Sequence, residues 1–573
     1  ISLASIAAVM RYADLVDTYT VLESTSSRLE QTAQLADVLS ELDITHFESV
    51  IRLVGGRVFA PWEDADMGVS SRGLMAAIAL ASGVAEGRIE RFWRDSGDLG
   101  LAAEEAMTDA AQQTLVTQPV TVDRVYRELR GLAAVDGTGS RRRRLQVVAG
   151  LLSDATPLEA RYLARTVVGH LRLGVAEGIL RDAIVEAFGP DIDDASEHVE
   201  RAYHLTSDLA HVASVAATEG IAGCAAIDLT PFRPVRAMLA TKADGLSDGL
   251  LSVAPTTDAV RIERKYDGIR VQVHHADGEV RLFTRRLADI TQQFPEVVQA
   301  VDGALVAEGV ILDGELVGVD PSTGTPIPFQ ELSRRVKRKH DIHAIAEEVP
   351  VRLYLFDLLW CDGTSLLERP LAARLERLQS ICTPTPDAID LAAAVDAPSP
   401  DSARSFYDAS VAAGHEGVMF KNRQAPYQPG TRVGFMMKHK PLMEPLDLIV
   451  TRAQWSEGRR SEYLGRLFLG CYDDEREVVC EVGRLSTGYT DAELEVLTER
   501  LLERRQGTSG RQITIDQDLL VEVAFEEIQR SDAYDSGYAL RFPRYHRLRP
   551  DLGPRDAATL AEVEAAYGAQ GSS

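Results

Sequence analysis

Cysteine is scarce in this chain: five residues in 573, Cys224, Cys361, Cys382, Cys471 and Cys480, scattered and odd in number. That excludes a disulfide framework and fits reduced thiols, and no two have zinc-finger spacing. Long hydrophobic runs are missing as well. No stretch approaches the ~18 apolar residues of a spanning helix. The apolar opening, Ser2 to Met10, lacks the basic start and cleavage pattern of a signal peptide. The expectation is a cytoplasmic protein that does not enter a membrane. Internal repeats are absent. Positive charge is in short supply: 61 Lys and Arg face 87 Asp and Glu, a net charge of −26, which taken alone argues against a polyanion partner.

The positive charge that is present is clustered. Arg141 to Arg144 is a run of four arginines, Arg334 to Lys339 holds five basic residues, and Arg541 to Arg549 holds four arginines, all without an acid. Local basic surface of this kind holds phosphates on an acidic protein; the alternative for each run is a solvated face. With 45% hydrophobic and 26% charged residues, the composition excludes a disordered or fibrous chain. At roughly 100–200 residues per domain the length suits about three domains, each with its own core.

Three patterns divide the chain. Residues 1–232 read as all-α: Ala/Leu/Glu/Arg stretches broken by short polar turns. Thr156-Pro157-Leu158-Glu159 predicts a capped helix start with proline at the first position, ending at Gly169. Leu171-Arg172-Leu173-Gly174 then leads through Gly178 into another helix. This is either a turn whose N–H groups meet a phosphate or an ordinary interhelical turn. Pro231 and Pro234 punctuate a linker at Ile227 to Pro234, after which residues 233–443 alternate strands with helices. Val271 and Val273 before Asp277-Gly278, with Val280 and Leu282 after it, predict a hairpin, and Val351 to Trp360 a buried strand. Pro441 and Pro445 bracket a hinge. Residues 444–573 carry short strands at Leu448 to Thr451, Leu467 to Tyr472, Val478 to Val482 and Leu520 to Ile528, which suits a small five-stranded OB-fold β-barrel. A mobile tail is expected from Gly568 to Ser573.

Glu263-Arg264-Lys265-Tyr266-Asp267-Gly268-Ile269-Arg270 resembles the nucleotidyl-lysine motif KxDG of DNA ligases and capping enzymes. By itself the motif is short enough for a lysine before a turn to account for it. An ordered set follows it: Thr284-Arg285-Arg286, Asp313-Gly314-Glu315, Tyr354-Leu355-Phe356-Asp357, Glu416 to Lys421, Met437-Lys438-His439-Lys440 and Arg541-Phe542-Pro543-Arg544. Together these resemble ATP-dependent DNA ligases of the bacterial and archaeal type with an N-terminal helical DNA-binding domain.

The resemblance implies an α+β nucleotidyltransferase core, ATP-grasp-like, between the helical domain and the barrel. It implies ATP and Mg²⁺ as cofactors, nicked duplex DNA as partner, and a monomer. Lys265 takes AMP from ATP, passes it to the 5′-phosphate of a nick, and the 3′-hydroxyl displaces it. A free lysine has a pKa near ~10.4, so about one in a thousand is neutral near pH 7.4, a deficit of roughly 4 kcal/mol. The resemblance places Lys438, Lys440 and a divalent ion close enough to disfavour the ammonium. Glu315 and Glu416 are its candidate metal carboxylates, Glu315 also its ribose ligand. The first Asp-Gly-Glu, at Asp277, reads as a hairpin tip. Phe356 stacks on adenine, although a core phenylalanine reads the same way in sequence. Glu263, Arg270, Arg285 and Arg432 are further nucleotide contacts, and Arg172 and Gly174 are candidate DNA contacts. Arg544, and more weakly Arg541, orient the leaving pyrophosphate. One residue departs from the pattern: Met436 stands where the family usually has tryptophan. NAD-dependent ligases carry a four-cysteine zinc element that has no counterpart here, capping enzymes do not need some 230 helical residues ahead of the lysine, and a decayed DNA-binding scaffold would not need the intact motifs.

Overall fold

The computed structural model describes residues 9–110, 118–336, 338, 340–440, 443–456 and 460–570. Expectations placed on residues 2–8, Lys337, Lys339, Pro441 and 571–573 lie outside the described residues.

The first region is helical from Tyr12–Ser24 to Leu209–Ala226. The predicted capping box forms: Thr156 accepts from the Glu159 N–H and Glu159 from the Thr156 N–H, starting the helix Pro157–Val167, and Gly169 follows at φ 71°. Tyr12, Tyr19, Phe47 and Tyr162 sit fully buried in its core. Inside that core Arg165, 3% exposed, grips Glu23 at 2.8 Å and Asp98 at 2.7 Å, tying three helices together. The helix Leu209–Ala226 passes the length and hydropathy test for a membrane span, which corrects the expectation that no run approaches it. Leu209, Val212, Ala213, Ala216 and Ile221 of that helix nevertheless pack into the helical core, and Gly220 breaks its helical geometry.

The linker lies against the second region rather than free. Phe232 N–H donates to His274 Nδ1 at 3.0 Å and Val235 N–H to Gln272 Oε1 at 2.8 Å. Two sheets follow. One runs in the order Leu239–Lys242, Arg432–His439, Gly417–Asn422, Val260–Lys265 and Ala394–Asp396. The other runs Glu279–Thr284, Ile269–Ala276, Gly309–Gly318, Val351–Cys361 and Thr364–Ser365, with Ile389–Leu391 beside Val351–Cys361. The predicted hairpin is present, its tip at Asp277 (φ 52°) and Gly278 (φ 75°). Lys265 ends a strand of the first sheet, and after three intervening residues Ile269 begins a strand of the second.

The C-terminal region is β-rich and consistent with an OB fold, with a larger ladder than the five strands expected. Val478–Leu485, Arg466–Asp473, Leu446–Gln454, Gln512–Ile515 and Arg505–Ser509 pair in that order, and Leu520–Ala524 joins Leu446–Gln454 to Arg544–Leu548. No ladder closes this sheet into a barrel among the described residues. Beside the edge strand Val478–Leu485, side chains do the joining: Glu481 N–H donates to Asp535 and Ser536 Oγ to the Glu481 carbonyl. The predicted strand Leu520 to Ile528 is two: after Ala524 the chain leaves the sheet, and Glu527–Arg530 pairs with Tyr538–Arg541 instead.

The basic runs are largely consumed by local contacts. Arg144 donates to the Leu132 and Val135 carbonyls, and Arg334 pairs with Glu331 and Glu348. Arg335 is fully buried on Glu296, and Arg547 pairs with Glu522. All five cysteines are free and buried.

Candidate active site

Lys265 stands where the chain crosses between the two sheets, and two glycines make that crossing possible. A Cβ at Gly268 would lie 2.2 Å from the Leu316 carbonyl oxygen; one at Gly417 (φ 131°) would lie 2.3 Å from that of His439. Gly417 pairs with Lys265 in the ladder, and the Glu416 N–H bonds the Lys265 carbonyl at 2.9 Å. Side chains continue the pairing. Lys265 Nζ contacts Glu416 Oε2, while Glu416 Oε1 takes Lys440 Nζ at 2.6 Å. Tyr266 backs the lysine, stacked on Tyr354 at 4.1 Å and met edge-on by His415 at 4.9 Å.

The charges around this pair are unequal. Burial opposes ionisation of Glu416, but Lys265 and Lys440 outweigh it and hold the carboxyl below its ordinary range. Lys440 is raised despite burial, by Glu416 and Glu526. Lys438 is lowered by burial first, then by the positive charges of Lys265 and Lys440. Glu315 is pushed up to about 8, by burial before anything else, with Lys265 and Arg270 pulling the other way. Asp267, whose carboxylate accepts the Phe329 N–H at 3.1 Å, is raised by burial and by Glu416.

A small cavity of about 20 Å³, room for a water, is lined by Met238, Arg270, Phe356, Lys421, Tyr427 and Met436. Phe356 is half-buried, its ring 4.6 Å from Lys421 Nζ and 5.6 Å from the Arg270 guanidinium. Lys421 in turn pairs at 2.5 Å with the buried Glu263. Arg270 grips the fully buried Asp313 through two N–H groups, at 3.0 and 2.6 Å. Met436 packs here where a tryptophan was the usual residue.

The sequence candidates fall into groups. Glu315, Glu416, Lys438 and Lys440 gather around Lys265; Arg270 and Phe356 line the small cavity, and Glu263 reaches it through Lys421. Arg285 lies among Arg270, Arg432 and Arg286, and burial followed by those cations lowers its pKa. Arg432 begins the strand that ends in Lys438 and His439. Arg541 arrives from the C-terminal region, bonded to Glu527 at 2.7 Å, its guanidinium 5.8 Å from the Phe329 ring. Lys440 also reaches Glu526 at 3.5 Å, so this region rests against the site. Arg544 is exposed and pairs with nothing among the described residues. Arg172 (φ 62°) donates to the Gly97 carbonyl, and Gly174 (φ 73°) follows it, both remote in sequence from the lysine and within the helical region. A cavity of about 860 Å³ separates that region from the central one, bridged by Arg236, which bonds Glu177 at 3.1 Å and the Tyr203 hydroxyl.

Asp313, Lys421 and Tyr427 are site residues that sequence reasoning left without a role. The first two lie inside quoted motifs; nothing in spacing or composition marks Tyr427.

The donor set suits a divalent cation. The Glu315 side chain makes no hydrogen bond or ion pair among the described residues, and Glu416 already gathers two positive charges. No group of three or more His, Cys, Asp or Glu is placed to hold a metal among the described residues. Magnesium here would complete its shell with water and phosphate oxygens, as it ordinarily does.

The family model for the DNA ligase N terminus matches residues 11–216, that for the ATP dependent DNA ligase domain residues 237–440, and that for the ATP dependent DNA ligase C terminal region residues 460–552. The DNA ligase of Thermococcus fumicolans is 40% identical over 561 residues, covering 98% of this chain and 99% of that protein. That of Methanothermobacter thermautotrophicus is 40% identical over 554 residues, covering 96% and 98%. The solved structure Pmar-Lig_PreS3 covers 93% of this chain and 99% of its own at 17% identity, with a TM-score of 0.53, a likeness of fold. Three consecutive family matches and relatives aligned from end to end, around a lysine crossed between two sheets, leave one conclusion: the chain belongs to the ATP-dependent DNA ligases.

Proposed function

We propose the following division of labour within this ATP-dependent DNA ligase, acting as a monomer on nicked duplex DNA in the cytoplasm. Residues 1–232 grip the DNA backbone, 233–443 carry the nucleotide chemistry, and 444–573 close over it. The family matches at 11–216, 237–440 and 460–552 support those limits. Lys265 Nζ attacks the α-phosphorus of ATP; an N–P bond forms, the bond to the bridging oxygen breaks, and pyrophosphate leaves. The AMP passes to the 5′-phosphate, and the 3′-hydroxyl then displaces it. The observation that carries this reading is the pairing of Lys265 and Lys440 with one carboxylate, Glu416, with Lys438 close enough for their positive charges to lower its pKa. Such a cluster matches the charge that develops on a transferring phosphoryl group.

Phe356 and Glu263 hold the adenine, with Lys421 between them. Glu315 and Arg270 face the ribose, and Lys438 and Lys440 the α-phosphate. Arg285 and Arg432 contact phosphate. Glu315 and Glu416 would hold Mg²⁺, which neutralises phosphate charge when bound. Arg541 and Arg544 orient the leaving pyrophosphate. The turn at Arg172 and Gly174, ahead of the helix Glu177–Phe188, offers backbone N–H groups to a DNA phosphate.

Incubation with α-labelled ATP tests the central assignment. An acid-labile label mapping to Lys265, and absent from Lys265→Ala, is expected; undiminished label on that variant overturns it.

A further inference from the structure

Tyr427 lies between the strands Gly417–Asn422 and Arg432–His439, 2% exposed, and its hydroxyl is saturated. It donates to Asp313 Oδ2 at 2.9 Å and accepts from the Met238 N–H at 3.1 Å and from Arg270 Nη2 at 3.3 Å. One donor and two acceptor sites are all a hydroxyl has. The far side of the ring is held too: the Arg374 guanidinium sits 5.9 Å from its centroid and is itself locked on Asp357 at 2.7 and 2.9 Å. Burial, with Asp313 beside it, pushes the phenol well above its ordinary pKa, so it stays a donor.

The consequence falls on Arg270. A guanidinium has five N–H bonds. Nε and Nη2 bond the two oxygens of Asp313, the second Nη2 hydrogen bonds Tyr427, and Nη1 bonds the Met238 carbonyl at 2.7 Å. One N–H, on Nη1, is left over, on a side chain that lines the small cavity together with Phe356 and Lys421. Asp313 by itself fixes the guanidinium only as firmly as its own carboxylate is fixed. Tyr427 bonds Asp313 Oδ2 and Arg270 together, so it sets the plane of both.

We propose that Tyr427 is a positioning residue for the nucleotide, its hydroxyl setting the plane of the Arg270–Asp313 pair so that the remaining Arg270 N–H is held in one direction, toward the side of Phe356. The inference rests on the assignment of Arg270 to the nucleotide and names the group that makes that contact directional. Tyr427→Phe keeps the ring and removes only the hydroxyl. It leaves a Met238 N–H and an Arg270 N–H without acceptors and frees the pair to turn.

The test is a double-mutant cycle on lysine adenylation, followed by label incorporation at varied ATP. Tyr427→Phe is expected to raise KM for ATP about ten-fold with kcat little changed, the scale of one hydrogen bond to a charged group, and to lower the melting temperature by a few degrees because two buried donors lose their acceptor. In an Arg270→Ala background the same change is expected to add less than about two-fold, because the group it acts through is gone. An equal factor in both backgrounds overturns the inference and assigns Tyr427 to packing alone. A Tyr427→Phe protein that fails to fold, or an unchanged KM, overturns it as well, since the ring is retained. Should Arg270→Ala by itself leave KM for ATP unchanged, the assignment of Arg270 fails, and the inference built on it with it.

Discussion

Lys265 and Glu416 are joined twice, once through backbone across neighbouring strands and once through their side chains, and the second oxygen of Glu416 holds Lys440. The proposed nucleophile is therefore held against a carboxylate. Lys438 stands near enough to Lys265 and Lys440 for their charges to lower its pKa.

Glu416→Gln tests this arrangement. It keeps the shape and deletes the charge that anchors two lysines and would help hold the metal ion, so lysine labelling from ATP is expected to fall about 10²-fold, the scale of a lost positioning contact. Labelling at the wild-type rate would make the ion pair structural only.

Arg541→Ala is expected to abolish lysine adenylation while sealing of a pre-adenylated nick persists, because pyrophosphate departs only in the first step. Sequence reasoning ranked Arg544 ahead of Arg541. In the structure Arg541 is the one beside the site, with Glu416 and Asp267 acting on its charge, whereas Arg544 is exposed. The expected order of loss in adenylation is Arg541 first. Equal loss in both assays would point to DNA holding instead.

His274 predicts a pH dependence of stability. Burial, then the charge of Arg281, pushes its folded pKa down to about 3, while its Nδ1 accepts the Phe232 N–H of the linker. A neutral imidazole is thus built into the fold. As pH falls below the unfolded value near ~6.5 the unfolded chain takes up a proton that the folded chain refuses, so stability drops progressively down to about pH 3. At pH 5 this amounts to about 2 kcal/mol. Urea midpoints between pH 7.5 and 5 are expected to fall less steeply for His274→Gln than for the wild type; parallel slopes would contradict the buried neutral imidazole.

Arg165→Met removes the cation between Glu23 and Asp98. Leaving Asp98, 5% exposed, without its partner is expected to cost about 3–5 kcal/mol, read as a shift in the unfolding midpoint. Gly100 reports on the same contact: a Cβ there would lie 2.6 Å from Arg165 Cγ and 2.7 Å from the Arg161 carbonyl oxygen. A loss below about 1 kcal/mol for Arg165→Met would mean the network relaxes around the gap.

Sequence by itself determined the chemistry and its order along the chain. Lys265, Glu315, Glu416, Lys438 and Lys440 were picked out by an ordered set of motifs that resembles those of DNA ligases, and the fold draws Lys265, Glu416 and Lys440 into contact. The Thr156 capping box and the Asp277-Gly278 hairpin were legible because their hydrogen bonds close within a few residues. Tertiary structure alone decided what depends on distant partners. Tyr427 acquires its place from Asp313, Met238 and Arg270, each far from it in sequence, and no local pattern records such a contact. The break after Ala524, which carries Glu526 to Lys440 and Glu527 to Arg541, looks from the alternation of residues like one continuous strand. Arg335 reads as part of a basic surface run and is a buried core residue, because burial is set by what packs over a side chain and not by its neighbours along the chain.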